Sequence, residues 1–477
     1  MSMTRRSRLS TLPVAIVLLL PEPVRAATLD GAGMGWAWAL PFAAMLASIA
    51  SGPLLFPKFW HSHYGKIAFG WSALALAALA AFYGISTAAA AFVHAMLAEY
   101  LSFIVLLLAL YVVAGGVLVT GNLRGTPFVN TALLATGTLI ASLVGTTGAA
   151  MIMIRPLLRA NAARTHSVHV VVFFIILVAN VGGALSPLGD PPLFVGFLHG
   201  VDFFWPARHL WLQTLIVAIP ILLAFVVLDA WLFRRETAAE PAIAPANIAL
   251  RGGVNLVLIA LLIAAILGCA VWKPDIAFNI YGTPVALENI ARDVALVIIA
   301  LASLWLTPDE HREANGFTWE PIREVAKLFA GIFVTIIPVV AMLDAGRNGA
   351  FAWLLRIVTE RDGTPHEVAY FWLTGALSAF LDNAPTYLVF FQLAGGDPVA
   401  LMGPLSGTLA AISMGAVYMG ALTYIGNAPN FMVYAIAQER GVKMPNFFGY
   451  MLWAGLILVP LFLLLTWLPV APVFKSG

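Results

Sequence analysis

The chain is 477 residues long, 61% hydrophobic and only 10% charged, with a net charge of +2. Soluble domains carry about 25% charged residues; there is too little polar side chain here to coat a water-facing surface, so the composition describes a polytopic membrane protein and excludes a soluble enzyme. The one cysteine, Cys269, leaves no intrachain disulfide or cysteine-rich metal site, and no stretch carries a nucleotide-binding loop or a nucleic-acid footprint.

Arg5, Arg6 and Arg8 precede a short apolar run from Leu12 to Leu20, which Pro21 and Pro23 close before Ala26 and Ala27. This has the form of a signal peptide over residues 1–27, and the run is too short for a comfortable span. Apolar segments then predict spans over about 34–56, 67–83 and 101–119. Two half-length runs, 126–144 and 148–158, flank the polar tip Gly145-Thr146-Thr147. The second is too short to cross, so the pair predicts a re-entrant hairpin. A fourth span starts near Val168, breaks at 186–192 and resumes to about His199; a fifth covers about 211–233.

Residues 234–249 hold Glu236, Glu240, Pro241 and Pro245 and form a polar cytoplasmic linker. The order then repeats. Spans are predicted at about 254–271, 294–306 and 328–343, with a charged, loop-like stretch at 307–326 and a kink at Pro338. A second hairpin covers about 368–393 with its tip at Asp382 to Pro385. A ninth span starts near Pro404, breaks at 424–430 and resumes to about Gln438; a tenth covers about 449–468. Trp205, Trp211, Trp272 and Trp467 lie near proposed ends, where interface residues belong.

The predicted fold class is an all-α polytopic membrane protein. It is built as an inverted repeat of five crossing segments plus one re-entrant hairpin each, with broken helices, over residues 28–233 and 250–477. Five crossings is an odd number, so the second repeat enters from the opposite side. With the mature N-terminus outside, fourteen Lys and Arg fall on the inner side, Arg155, Arg164 and Arg312 among them. Seven, including Arg292 and Arg361, fall outside, in the sense the positive-inside rule requires. The expected location is the cell inner membrane.

Two motifs keep one offset. GALSPLGDPPLF, Gly183 to Phe194, recurs 237 residues later as GALTYIGNAPNF, Gly420 to Phe431, with Ser186 replaced by Thr423 and Asp190 by Asn427. The same offset aligns SLVGTTGAA, Ser142 to Ala150, with AFLDNAPTY, Ala379 to Tyr387. Paired interrupted segments point to a transporter binding site, because broken backbone in lipid persists only where it is buried in protein or lines a cavity. Two tip-to-break pairs follow: Gly145, Thr146 and Thr147 with Ser186 to Asp190, and Asp382, Asn383 and Thr386 with Thr423 to Asn427.

Asp190 and Asp382 are carboxylates deep in apolar context, which bind a cation, take up a proton or cap a helix. Asn383 and Asn427 offer carbonyl oxygens to the same ions, so these four residues form the expected metal-ligand set. Thr146, Thr147, Ser186, Thr423 and Thr386 are further ion or substrate contacts, or bond to their own backbone; Asn180 and Asn430 are weaker candidates. Glu99 at a span border, Arg155 at the end of the hairpin return arm, and His61 and His63 on a loop are expected to be interfacial.

At NVGGALSPLGDPP, SAFLDNAPTY and GNAPNF the chain resembles the ion transporter superfamily, in particular its citrate-transporter and sodium/proton-antiporter-like families. The resemblance implies inverted repeats with paired re-entrant hairpins. It also implies a hairpin-bearing transport domain that moves like an elevator beside a scaffold, and a homodimer. DNAP at Asp382 to Pro385 is similar to the antiporter hairpin tip, where Asp and Asn are implicated. The dicarboxylate branch carries Ser-Asn-Thr at its tips, and this chain carries Gly-Thr-Thr and Asp-Asn-Ala instead.

The expected function is therefore secondary exchange of sodium for protons, with sodium as the transported or coupling ion and no other cofactor. Sodium ions, protons and the lipid bilayer are the partners, and no nucleic acid is. The alternative is sodium-coupled uptake of citrate or another organic anion, bound by hairpin hydroxyls and amides at half-helix N-termini.

Overall fold

A computed structural model of the protein describes residues 29–121, 123–236 and 248–467. The expected signal peptide and most of the linker lie outside the described residues. The elements, in chain order, are α1 (Leu40–Leu55), α2 (Pro57–Tyr83), α3 (Ile85–His94) and α4 (Leu101–Gly115), the last two joined through a π-helical turn at Ala95–Tyr100. The first hairpin is α5 (Pro127–Val144) and α6 (Thr146–Ala160). The first broken span is α7 (Val168–Leu177) and α8 (Pro191–Leu198), and α9 (Trp205–Phe233) closes the half.

The second half opens with α10 (Val254–Val271), α11 (Leu287–Leu306) and the short α12 (Asp309–Ala314). It continues through α13 (Glu320–Thr335), α14 (Ile337–Asp344) and α15 (Ala352–Ile357) to the second hairpin, α16 (Glu367–Phe380) and α17 (Asn383–Leu393). After α18 (Pro398–Met402) comes the second broken span, α19 (Ser406–Met419) and α20 (Ala428–Glu439), and α21 (Phe447–Trp467) ends the described chain. Among the described residues, nine helices are long and apolar enough to cross a membrane, or ten with the α13–α14 pair counted as one bent span. The protein is thus an all-α multi-pass membrane protein. The α13–α14 bend is 41°, at the expected Pro338, which sits in the first turn of α14 and has no N–H to continue the helix.

Burial ranks the helices. Of the window 168–185, which holds α7 and the start of its break, 89% is buried, against 17% for α2 and 28% for α9. The first break therefore sits at the centre of the molecule. Around it, α16 packs on α19, α5 on α6 and α17 on α8. On the other side α2 packs against α1 and α13, and α4 against α11.

Several local expectations need correction. Helix α2 starts at Pro57, ten residues before the predicted span, so His61 and His63 lie on a helix and not on a loop. The stretch read as loop-like at 307–326 contains α12 and the first turns of α13, because its charges find partners. Arg312 is 5% exposed and donates to the carbonyls of Val112 and Ser303. Arg292 is buried too, donating to Ser102 Oγ and Asp293. Neither is a loop charge that reports orientation. Glu99 lies inside the π turn and not at a span border. Two small antiparallel ribbons were not expected: β1 (Leu118–Thr120) with β2 (Ala249–Arg251), and β3 (Ala277–Ile280) with β4 (Thr283–Ala286). The turn of the second needs positive φ at Tyr281 and Gly282, as two-residue hairpins do.

A polar knot ties the base of the first hairpin. Asp229 of α9, fully buried, receives Arg164 Nη2 at 2.6 Å, His169 Nε2 at 2.7 Å and Asn130 Nδ2 at 2.9 Å. Arg164 is thereby held within the packing, so the exposed Ala163 beside it is the better reporter of sidedness. In a Cys269→Ser background, Ala163→Cys and the exposed Arg361→Cys are expected to react with a membrane-impermeant thiol reagent from opposite faces of sealed vesicles. Labelling of both from one face would contradict the inverted arrangement.

Candidate functional site

Glycine, proline and short hydroxyl side chains shape both breaks. In the first hairpin, α5 ends at Gly145, whose φ of +81° favours glycine, and α6 begins at once with Thr146. In the first broken span, a 3-10 turn at Val181–Leu185 gives way to irregular backbone, and α8 starts at Pro191, where a missing N–H costs nothing. The second half does the same with the 3-10 turn Gly420–Leu422 and α20. Ser186 Oγ donates to the carbonyl of Ser142 and accepts from the N–H of Leu188. Thr423 Oγ1 donates to the carbonyl of Ala379 at 2.5 Å and accepts from the N–H of Ile425. All three positions are 237 residues apart in the two halves, so one hydroxyl staples each break to its own hairpin in the same way. These two hydroxyls serve backbone.

The two halves meet at one carboxylate. Asp190, 1% exposed, accepts from Thr146 Oγ1 at 3.1 Å and Asn427 Nδ2 at 3.0 Å on Oδ1, and from Asn383 Nδ2 at 2.5 Å on Oδ2. These four residues are the two hairpin-tip and two break positions related by the repeat, Thr146 with Asn383 and Asp190 with Asn427. Each is the first residue or the N-cap of a helix: α6, α8, α17 and α20. Four helix N-terminal ends, each a positive dipole end, therefore meet at one carboxyl group. Hydrogen bonds to a charged group contribute about 1.5–3 kcal/mol each, so three donors offset much of the cost of burying Asp190. Asn180 and Asn430 stitch the breaks to each other: Asn180 Nδ2 donates to Asn430 Oδ1 at 2.7 Å, and Asn430 Nδ2 donates to the carbonyls of Gly420 and Thr423.

Asp382 is placed differently. It caps α17 by accepting the Ala384 N–H at 3.1 Å, and it lines a cavity of about 420 Å³ together with Asn427. The wall facing it carries Glu320, Glu324 and His61, and its own side carries Arg155 and Glu439. Next to Asp382, the Oδ1 of the buried Asn383 has no hydrogen-bond partner among the described residues. Thr386 Oγ1 donates back to the Asp382 carbonyl at 3.0 Å, within its own helix. Thr147 stays outside the hub and lines a smaller cavity of about 70 Å³ against α4.

Over residues 31–470 the chain matches the sequence family described as "Putative citrate transport". The chain belongs to this family. It is a multi-pass transporter, and both breaks, both hairpins and the carboxylate hub lie inside the matched region. No curated protein matches the chain.

Glu320 and Glu324 of the transporter are not among the expected site residues, because the charges around them give that stretch the pattern of a loop. Their spacing of four within an amphipathic segment was the available signal. The tight glycines of the breaks make the site testable without touching its polar groups. A Cβ on Gly189 would lie 2.1 Å from the Gly183 carbonyl oxygen, and one on Gly426 would lie 2.6 Å from that of Gly420. Gly189→Ala and Gly426→Ala are each expected to destabilise the detergent-solubilised transporter by about 1–3 kcal/mol, read as a lowered thermal midpoint. Gly33→Ala, with open space around it, should leave the midpoint unchanged.

Proposed function

We propose that the transporter exchanges sodium for protons, with Asp382 as the group the two cations contest. One observation carries this reading: the place where converging helix N-termini would hold a substrate carboxylate is occupied by the chain's own Asp190. The open cavity beside it is lined by four carboxylates, Asp382, Glu320, Glu324 and Glu439, against one arginine. Such a lining raises the local concentration of cations and lowers that of anions. Asp382 accepts a single backbone bond and keeps acceptor capacity for a proton or a sodium ion. The free Oδ1 of Asn383 and the carbonyl oxygens of the breaks supply the neutral oxygens that a hard cation prefers. Sodium and the proton are the substrates. Asp190 keeps the hub assembled, with Thr146, Asn383 and Asn427 as its donors.

In the same reading the repeats are inverted and the transport is elevator-like. The hairpins and broken spans form one packed body around α7, and α1, α2, α10, α11 and α13 form the body beside it. The 420 Å³ cavity lies between them, since α1, α2 and α13 line one side and α6, α17 and α20 the other. A homodimer in the inner membrane completes the proposal.

A second reading, sodium-coupled citrate or other organic-anion uptake, is favoured by the family's description and by Arg155. This guanidinium lines the cavity without a hydrogen bond or salt bridge to a described residue.

Proteoliposomes separate the two. A sodium gradient is expected to drive proton flux with no organic acid present; citrate uptake without sodium-driven proton flux would replace the first reading by the second. Asp382→Asn is expected to drop the flux to the level of protein-free liposomes while the variant stays monodisperse on size exclusion, because the amide can still accept the capping bond but can neither ionise nor neutralise sodium. Near-normal flux with an unchanged pH profile would leave Asp382 a helix cap. Asp190→Asn is expected to insert and fold, since Asn427 already fills the equivalent position, and to weaken sodium affinity.

A further inference from the structure

We propose that Glu324, on the wall facing the hairpin tip, is a second proton-carrying carboxylate of the exchange cycle, taking up the proton that Asp382 releases when sodium binds. The inference rests on the exchange reading above and adds a residue from the other packed body. Glu320 and Glu324 lie one turn apart on α13, and Trp60 and Tyr64 lie one turn apart on α2. The two pairs face each other as a ladder: Trp60 Nε1 donates to Glu324 Oε1 at 3.2 Å, and Tyr64 OH donates to Glu320 Oε1 at 3.1 Å. Both donors are neutral, and both are buried, at 5% and 4% exposure. Neither glutamate has a salt bridge among the described residues, although Arg323 and Lys327 stand on the same helix. Arg323 and Lys327 are exposed, and Lys327 Nζ lies over the Tyr64 ring at 5.0 Å.

The indole is held in place from behind. A Cβ on Gly52 of α1 would lie 2.2 Å from Trp60 Cε3, so only glycine lets the ring settle flat against α1 with its N–H towards Glu324. A carboxylate fixed by one neutral donor, with no salt bridge among the described residues and the cavity in front, can hold a proton or release it without breaking an ion pair.

The cavity reaches from Glu324 to Asp382 and has room for on the order of ten waters. The charged and titratable groups around it are Glu320 beside Glu324, His61 and Tyr64 from α2, and Tyr111 from α4. Arg155 from α6, Asp382 at the start of α17 and Glu439 from α20 complete the set; α1 contributes only Ile49 and Pro53. The transfer balances simply. The Asp382 O–H breaks as sodium takes the carboxylate, the proton passes through cavity water, a Glu324 O–H forms, and Glu324 later returns the proton to bulk water.

The test compares two modes of transport in proteoliposomes: sodium-driven proton flux across pH, and isotopic sodium/sodium exchange at fixed pH. In Glu324→Gln, sodium/proton exchange is expected to fall at least tenfold while sodium/sodium exchange is kept within twofold. In Trp60→Phe, which removes the donor and leaves the carboxylate, the pH profile of proton flux is expected to move to higher pH, because the lost hydrogen bond favoured the ionised form. An unchanged rate and profile in Glu324→Gln would overturn the inference, as would an equal loss of both modes, which marks a structural role. An unmoved profile in Trp60→Phe would count against it in the same way. Wild-type protein that shows no sodium-driven proton flux would overturn the exchange reading itself, a result distinct from either variant outcome.

Discussion

Asp190 brings a carboxyl group to the most enclosed part of the molecule, and much of the architecture follows from satisfying it. An unpaired carboxylate in a low-dielectric interior costs several kcal/mol or more. No single helix can surround it with donors. The solution is to end four helices around it and to draw one donor from its own half, Thr146, and two from the other, Asn383 and Asn427. Ending a helix inside a membrane exposes backbone groups, and each break is in turn held by the same hydroxyl staple, Ser186 on Ser142 and Thr423 on Ala379. The asymmetry between the repeats, Asp190 against Asn427, then has a physical reason. Two carboxylates at that point would repel, whereas one acid and one amide form a donor–acceptor pair.

Once the hub is closed, Asp382 is left as the carboxylate with spare acceptor capacity at the edge of the cavity. It lies one residue from the hub and on the boundary between two packed bodies. The proposed cation exchange rests on that separation of roles: a locked carboxyl that assembles the site and an open one that meets the cavity. The family's description, and Arg155 without a hydrogen bond or salt bridge among the described residues, keep an organic anion as the competing substrate.

Much of this was legible in the sequence, for reasons that can be named. The 237-residue offset, the glycine and proline at the breaks and the polar residues inside apolar runs placed both hairpins and both broken spans close to where the structure has them. Apolar length and composition placed most of the spans. The convergence of four helix ends on Asp190 was not legible, because the sequence carries no distance between the halves; the motif ranked Asp190 and Asp382 alike, and only packing tells the locked one from the open one. The start of α13 was hidden by its charges, which pattern as loop until Trp60 and Tyr64 supply partners from a helix some 260 residues away. Asp229 was hidden in the same way: a lone acid near the end of an apolar span gives no sign that Arg164, His169 and Asn130 meet it.

The central claim is that Asp190 binds the two repeats together through side chains of the opposite half. A double-mutant cycle on Asp190→Asn and Asn383→Ala, with unfolding free energy measured by denaturant titration in mixed micelles, tests it most directly. A coupling of about 1–3 kcal/mol is expected, because the two residues share one buried charge-assisted hydrogen bond. Additivity within about 0.5 kcal/mol would contradict the account, since it would mean that the carboxylate and the opposite hairpin tip do not depend on each other.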